Sequence, residues 1–458
     1  MDRVAAALAG ADPATPTAPR HLRTGDHDRR ALRGICTDTR AIEAGDCFVA
    51  LTGEQFDAHD FLADAVAKGA AALVVHDVAR AATLGVPVFA VDHTLHALGA
   101  LARYRRRAWG RPVIAIGGSN GKTSTKELVK AALGARLAVH ATKGNLNNQI
   151  GVPLTLLAIP DHADVAVVEM GTSVPGEMAI LRMIGQPDIV IITSIGEEHL
   201  EGLGDLAGVL TEESALADGA PVAIIPTTEP ALEARVTTLA GRVVRAGLEG
   251  GDLRAERWTV APDGRGSVWV NGIEIRSPLL GGHNLRNLML ALAAAQECGV
   301  SIADAGAAIA RMPPPTMRSA LHAVGQAVVI NDAYNANPGS TRAALDLLAA
   351  AGPSRQRVAI LGTMLELGSH ADRLHREMAE RALATGAEVV AGVGAMAIAL
   401  GQVANGDPRV VTSADPEAIW PLIEPRLAPD AVILLKASRG VRLERIVPLI
   451  EAWAARQS

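Results

Sequence analysis

The run Ile116-Gly117-Gly118-Ser119-Asn120-Gly121-Lys122-Thr123-Ser124-Thr125 holds the densest chemical signal in the chain. Glycines let a backbone curl until successive N–H groups face one anion, and a helix N-terminus adds the positive end of its dipole. A lysine directly after such a turn reaches the β- and γ-phosphates of a nucleotide, and the next hydroxyl is a ligand for Mg²⁺. Gly118, Ser119, Asn120, Gly121, Lys122, Thr123 and Ser124 are therefore candidate phosphate contacts. Ile116 stands where the eight-residue phosphate-loop pattern has its first glycine, so this is the shorter G-x-x-G-K-T form. The competing reading is a plain glycine turn. Two features weigh against it: an apolar run precedes the turn and a helical pattern follows, and Lys122 is retained in a chain of 37 arginines and only six lysines.

Further polar residues fall at the ends of apolar runs. Glu169 lies near the end of the run 165–170, and Glu197-Glu198-His199 follows the run 188–193. Ligands of open α/β sheets collect outside the carboxyl ends of the strands, and carboxylate oxygens suit a hard cation such as Mg²⁺. Glu169 and His199 join Thr123 as candidate metal ligands, against a solvated strand end and a structural histidine. Asn331-Asp332-Ala333-Tyr334-Asn335-Ala336-Asn337-Pro338 opens another strand-to-helix connection, which by composition is a surface turn. Tyr334, one of only two tyrosines, gives that turn an aromatic able to stack on a nucleotide.

The elements that must position these residues follow a βα rhythm. Short apolar strands between about Gly34 and Val91 enclose a helical stretch near His59–Lys68 and predict a small α/β unit. A helix over about Thr94–Ala108 leads to a strand at Pro112–Ile116, the glycine turn and a helix over Lys122–Ala135. The unbroken apolar runs 165–170 and 188–193 predict parallel strands covered on both faces. Alternation over 252–278 around Asp263-Gly264 and Asn271-Gly272 predicts hairpins. Past the linker-like Met312-Pro313-Pro314-Pro315, four more apolar runs (327–332, 357–363, 388–394, 431–438) predict a second doubly wound sheet. The expected architecture is three α/β domains, 1–91, 92–314 and 315–458, with residues 11–20 as a loop. Hydrophobic residues make up 49% and net charge is −6, which excludes a disordered chain and a broad basic surface for nucleic acid. Three cysteines without metal spacing, no leader-like start and no apolar run of membrane length predict a cytoplasmic protein without disulfides.

Together these segments resemble the Mur ligase family over nearly the whole chain. Asp38-Thr39-Arg40, Gly45 to Ala50 and Phe56 to Phe61 look like its uridine-domain signature, and Gly118 to Glu127 like its ATP loop. Asn145 to Leu154, containing Asn147 and Asn148, is similar to its N-x-N-N-x-I-G-x-P-L segment. Gly282-His283-Asn284 with Asn287 resembles its nucleotide-contacting stretch, and Arg318 its phosphate-directed arginine. The Tyr-Asn-Ala-Asn-Pro run is the most specific element, and Met364 to Gly368 with Lys436, Ser438 and Arg439 complete the likeness.

The resemblance implies a small N-terminal α/β domain, a central parallel-sheet ATPase domain of phosphate-loop type and a C-terminal Rossmann-like domain. It implies ATP and Mg²⁺ as cofactors, and amide formation between D-alanyl-D-alanine and UDP-N-acetylmuramoyl-tripeptide through an acyl phosphate; a monomer is the expectation, although no sequence feature speaks to oligomeric state. Lys122, Glu169, His199 and Arg318 would be catalytic. Asn284, Asn287, Arg318, Asp332, Tyr334, Asn335 and Asn337 would join the phosphate loop in holding ATP. Asp38, Thr39, Arg40, Asn147 and Asn148 would hold substrate.

Departures from the family pattern keep open a ligase acting on another amine by the same chemistry, and a nucleotide-binding regulator without ligase activity. Gly117 replaces Thr, Thr172-Ser173 replace Ala-Asn, Met317 replaces Gly, Asn331 and Thr363 replace Asp, and Ala437 replaces Gly. Relatives in the family carry a carbamylated lysine fourteen residues after the metal-binding histidine; counting from His199 reaches Glu213. The expectation is that Glu213 supplies that anion to Mg²⁺, against an acidic helix face near a helix N-terminus.

Overall fold

A computed structural model describes residues 1–9, 21–22, 31–53, 55–313, 317, 320–351 and 354–457. Arg318, the loop expected at 11–20 and the domain break at 314 lie outside the described residues. The described chain forms two compact units: Met1–Ala115 with Val139–Gly171 and Glu177–Asp188, and Ile116–Ala138 with Thr172–Gly176 and Ile189–Ser458.

In the first unit a five-stranded sheet runs in the order His21–Leu22, Val88–Ala90, Ala72–Val75, Cys47–Val49, Ile35–Cys36. All its pairings are parallel except that of His21–Leu22. Cys47, Phe48 and Val49 are wholly buried, as an apolar run covered on both faces must be. The expected helix before the phosphate turn spans Thr94–Trp109 and ends on Gly110 in the left-handed conformation. Strand Val139–Ala141 runs parallel to Val165–Glu169.

In the second unit the parallel strands Ile189–Ile192, Val222–Pro226, Arg242–Gly247 and Leu253–Arg254 lie in that order. The predicted hairpins form the antiparallel set Arg257–Val260, Arg265–Val270 and Ile273–Leu280, turning at Gly264 (φ +82°) and at Asn271-Gly272 (φ 51° and +74°).

The C-terminal sheet has six strands, ordered Ala320–Val324, Ala327–Asp332, Val432–Lys436, Arg357–Leu361, Val389–Val393 and Val410–Ser413. Along Val432–Leu435 alternate side chains enter two apolar clusters, Val432 and Leu434 one, Ile433 and Leu435 the other. That is the doubly covered sheet the sequence predicts, with one difference. Ala320–Val324 pairs antiparallel with the first predicted strand through a turn at Gly325 (φ +61°), so this edge is a hairpin. No described helix is long and apolar enough to cross a membrane.

Candidate active site

Strand Val113–Gly117 runs into the glycine turn, and helix Lys122–Leu133 leaves it. Gly118 has φ +109°, and a Cβ there would lie 2.4 Å from Thr193 Oγ1; Gly121 has φ +87°, and its Cβ would lie 2.7 Å from Asn287 Oδ1. Only glycine fits either position. The turn is pinned by the segment after strand Ile189–Ile192. Ser119 N–H donates to Ser194 O (2.8 Å), Asn120 N–H to Ser194 Oγ (3.0 Å), and Thr193 Oγ1 to Asn120 O (2.6 Å). Ser119 Oγ accepts the Gly196 N–H at 2.8 Å. The helix itself begins on Gly121 with no side-chain cap, and Thr123 and Ser124 follow in its first turn. Lys122 Nζ lies against Gly118 O (2.5 Å) and Glu198 Oε1 (3.4 Å). Asn284 and Asn287 are buried and bonded to each other, Asn287 Nδ2 donating to Asn284 Oδ1 (3.0 Å).

The acidic pair is not on the helix-N-terminal face of the competing reading. Glu212 and Glu213 lie in the last turn of helix Leu206–Ser214, whose N-cap is Asp205. A helix C-terminus disfavours carboxylates, and both are buried, so each needs a partner. Glu213 Oε2 accepts the Gly118 N–H (2.7 Å). Burial pushes its pKa up to about 7, against the lowering charge of Lys122. Glu212 accepts the Thr172 hydroxyl (3.0 Å) and the Gly176 N–H (2.8 Å). The departure at Thr172 thereby gains a function: its hydroxyl satisfies a buried carboxylate.

His199 sits in the left-handed conformation (φ 51°), and its Nδ1 meets Glu366 Oε2 at 2.5 Å. Burial alone would lower its pKa; the Glu366 hydrogen bond and the Glu198 charge outweigh that and raise it. Glu198, His199, Asn335, Asn337, Glu366 and Arg439 line a cavity of about 140 Å³. Thr193 and Ser194 are site residues that the sequence patterns above do not single out, although two hydroxyls at the end of a buried apolar strand are themselves a signal, and Glu198 is marked there only as the neighbour of His199.

Asp332 and Lys436 end neighbouring strands and pair at 2.6 Å, with Lys436 Nζ also donating to Asn335 O (2.7 Å). Asn337 is not in a surface turn. It is 4% exposed and caps helix Pro338–Ala350 in a reciprocal box with Ser340, while its Nδ2 donates to Asn120 Oδ1 (2.9 Å). Tyr334 is half-buried and Asn335 exposed. Met317 has φ 56°, which accounts for the glycine that family members carry there.

Within the first unit, Asn147 Nδ2 donates to Glu169 Oε1 (2.9 Å), and Asn148 Oδ1 accepts the N–H of Gly151 (2.9 Å) at the start of helix Gly151–Leu157. Asp38 is bonded through both carboxylate oxygens to Arg40 (2.7 and 2.9 Å), which lowers its pKa to about 2. Thr39 lies in the same turn.

Three family models match in succession: "Mur ligase family, catalytic domain" over 31–106, "Mur ligase middle domain" over 116–295, and "Mur ligase, glutamate ligase domain" over 317–439. The UDP-N-acetylmuramoyl-tripeptide–D-alanyl-D-alanine ligase of Bacillus subtilis is 33% identical over 94% of this chain and 96% of its own. The Synechocystis enzyme of the same name is 36% identical over 91% of each. The chain belongs to the Mur ligase family. Among solved structures, MurF from Acinetobacter baumannii superposes with a TM-score of 0.84 (29% identity, 93% of this chain and 94% of that one). MurF ligase from Thermotoga maritima in complex with ADP gives 0.81 (26% identity, 93% and 99%).

For a Mur ligase the implied groups are ATP and Mg²⁺. The phosphate turn fits the first, with two obligatory glycines, an uncapped helix N-terminus and an adjoining ammonium. The expected Mg²⁺ set, Thr123, Glu169, His199 and Glu213, is not a preformed cage. Among the described residues no three His, Cys, Asp or Glu side chains are gathered as a cation site. Each of the three acidic or imidazole groups is engaged elsewhere, with Asn147, Glu366 and Gly118. Mg²⁺ is ordinarily held by one or two protein oxygens plus phosphates and water, so a hard-oxygen donor beside a phosphate loop remains a fit.

Proposed function

We propose that this Mur ligase joins D-alanyl-D-alanine to UDP-N-acetylmuramoyl-tripeptide at the expense of ATP, in peptidoglycan precursor synthesis. The observation that carries the reading is the match to enzymes of that name over more than nine-tenths of both chains. The chemistry follows from the substrates. A carboxylate is a poor electrophile until one of its oxygens becomes part of a good leaving group, and ATP supplies that group by phosphorylating it. The amine then attacks the acyl phosphate, and phosphate departs with the former carboxylate oxygen.

Lys122 neutralises charge on the transferring phosphoryl group, while the helix N-terminus from Gly121 to Ser124 would face the phosphates and Gly118, Ser119 and Asn120, whose N–H groups are given to Glu213 and Ser194, shape the turn around them. Bound Mg²⁺ would add further charge neutralisation there, held by Thr123, Glu169 and His199, with Glu213 in the place of the family's carbamylated lysine. For Glu213 to serve, its carboxyl must be ionised, which the phosphate loop's lysine favours. Arg318 is assigned to phosphate by the family pattern alone. Asn284, Asn287, Asp332, Tyr334, Asn335 and Asn337 are assigned to the nucleotide side, with Asn337 acting through Asn120. Asp38, Thr39, Arg40, Asn147 and Asn148 are assigned to the UDP-linked substrate. The division into domains 1–91, 92–314 and 315–458, a monomer, and a cytoplasmic location that suits ATP consumption belong to the same reading.

The test is phosphate release with purified protein. Turnover that requires both UDP-N-acetylmuramoyl-tripeptide and D-alanyl-D-alanine supports the proposal. Turnover with another amine and none with D-alanyl-D-alanine assigns a paralogue.

A further inference from the structure

We propose that Glu366 is a positioning residue for His199, holding the imidazole with Nδ1 protonated and Nε2 turned toward the phosphate-loop side. The inference rests on the nucleotide-and-cation reading above. A carboxylate can only accept, so the contact between Nδ1 and Glu366 Oε2 at 2.5 Å places a proton on Nδ1, and the neutral ring that a cation binds is the Nδ1–H tautomer. Nε2 keeps its lone pair. It lies on the side of Glu198, 3.9 Å from Oε2, and the other oxygen of Glu198 is the one nearest the Lys122 ammonium. Histidines that bind metals are oriented in this way, the distal ring N–H being given to a carboxylate.

Glu366 comes from the segment after strand Arg357–Leu361, 167 positions beyond His199, and that segment is seated on the residues that follow the histidine. Glu201 N–H donates to Glu366 O (3.1 Å), His370 Nε2 meets Gly204 O (3.1 Å), and Arg373 pairs with Glu197 (3.3 Å). Leu200, Leu203, Met364 and Leu367 lie together in one apolar cluster beneath these contacts. Glu366 (φ 64°) and His199 (φ 51°) both adopt the left-handed backbone that side chains disfavour. Such conformations persist only where the surroundings fix them, and here the two face each other. The cation end of the site is therefore finished by a residue of the C-terminal region, and its readiness depends on that region being seated.

The experiment is an electron-paramagnetic-resonance titration of Mn²⁺, with a non-hydrolysable ATP analogue present, on wild type, Glu366→Ala, Glu366→Gln and His199→Ala. Glu366 is 57% exposed at its side chain, so its variants should keep the wild-type melting temperature. Glu366→Ala is expected to weaken Mn²⁺ binding about 10-fold or more. Glu366→Gln, which still accepts from Nδ1, is expected to restore most of it, with analogue affinity in the absence of metal the same in all. Wild-type Mn²⁺ affinity in Glu366→Ala alongside weakened binding in His199→Ala overturns the proposal alone, as does a glutamine variant as weak as alanine. Unchanged affinity in His199→Ala as well overturns the assignment of His199 to the cation, and the proposal with it.

Discussion

The second unit turns from strand to helix at two chemically similar places and finishes them in opposite ways. At Gly117 to Lys122 the helix begins on Gly121, without a side-chain cap. At Asp332 to Pro338 the helix begins on Asn337, inside a closed box with Ser340. Both turns are short, polar and set at the carboxyl end of an apolar, largely buried strand. A helix whose N-cap is a glycine, with no side chain of its own to close the first turn and an ammonium beside it, is arranged for oxygens that a ligand brings. A helix that caps itself is a strut. The second turn buttresses the first, because Asn337 also holds Asn120 at the tip of the phosphate loop.

The largest effect should come from the open turn. Lys122→Ala is expected to lose about 100-fold or more in turnover while keeping its far-UV circular dichroism, since a cation is removed from the transferring group. Near-normal activity in the folded variant would break the comparison at its stronger side.

Next is the carboxylate beneath the open turn. The folded pKa of Glu213, about 7, lies above its ordinary value of 4.5. Between these values the unfolded chain has released the proton and the folded chain retains it. The stability of wild type relative to Glu213→Gln is thus expected to fall as pH rises from about 4.5 to about 7, and to level off above. Urea denaturation at a series of pH values reads this directly; a flat difference would mean that Glu213 is ionised throughout.

At the closed turn, Asn337→Ala is expected to cost about 1 kcal/mol of stability, the usual loss of an N-cap. Asn337→Asp separates its two duties. Aspartate caps as well as asparagine but cannot donate to Asn120, so stability should hold while the KM for ATP rises. Equal KM values in wild type and Asn337→Asp would reduce Asn337 to a cap. The smallest effect is at Met317, whose left-handed backbone glycine tolerates freely. Met317→Gly is expected to gain at most about 1 kcal/mol in thermal denaturation, offset by lost packing of the half-buried side chain.

The parts legible in the sequence are those fixed by neighbours in the chain. The glycine turn, the Asp-Gly and Asn-Gly hairpins and the unbroken parallel strands each state their geometry within a few residues. Helix Leu206–Ser214 was harder: glycines at 202, 204 and 208 blur its start, so Glu212 and Glu213 read as N-terminal when Asp205 is the cap. Least legible were contacts that folding alone creates. Asn337 and Asn120 are 217 positions apart, His199 and Glu366 167, and no local pattern in either segment names its partner. The antiparallel edge Ala320–Val324 is not legible because its five residues, Ala-Leu-His-Ala-Val, carry no apolar–polar alternation.

The central claim is that the phosphate loop serves amide formation through an acyl phosphate. Heavy-oxygen label in the terminal carboxylate of UDP-N-acetylmuramoyl-tripeptide follows the bond that must break. With ATP and D-alanyl-D-alanine present, mass spectrometry of the released phosphate should find a single labelled oxygen transferred from the carboxylate. Phosphate released without label, while the amide product accumulates, would contradict the account.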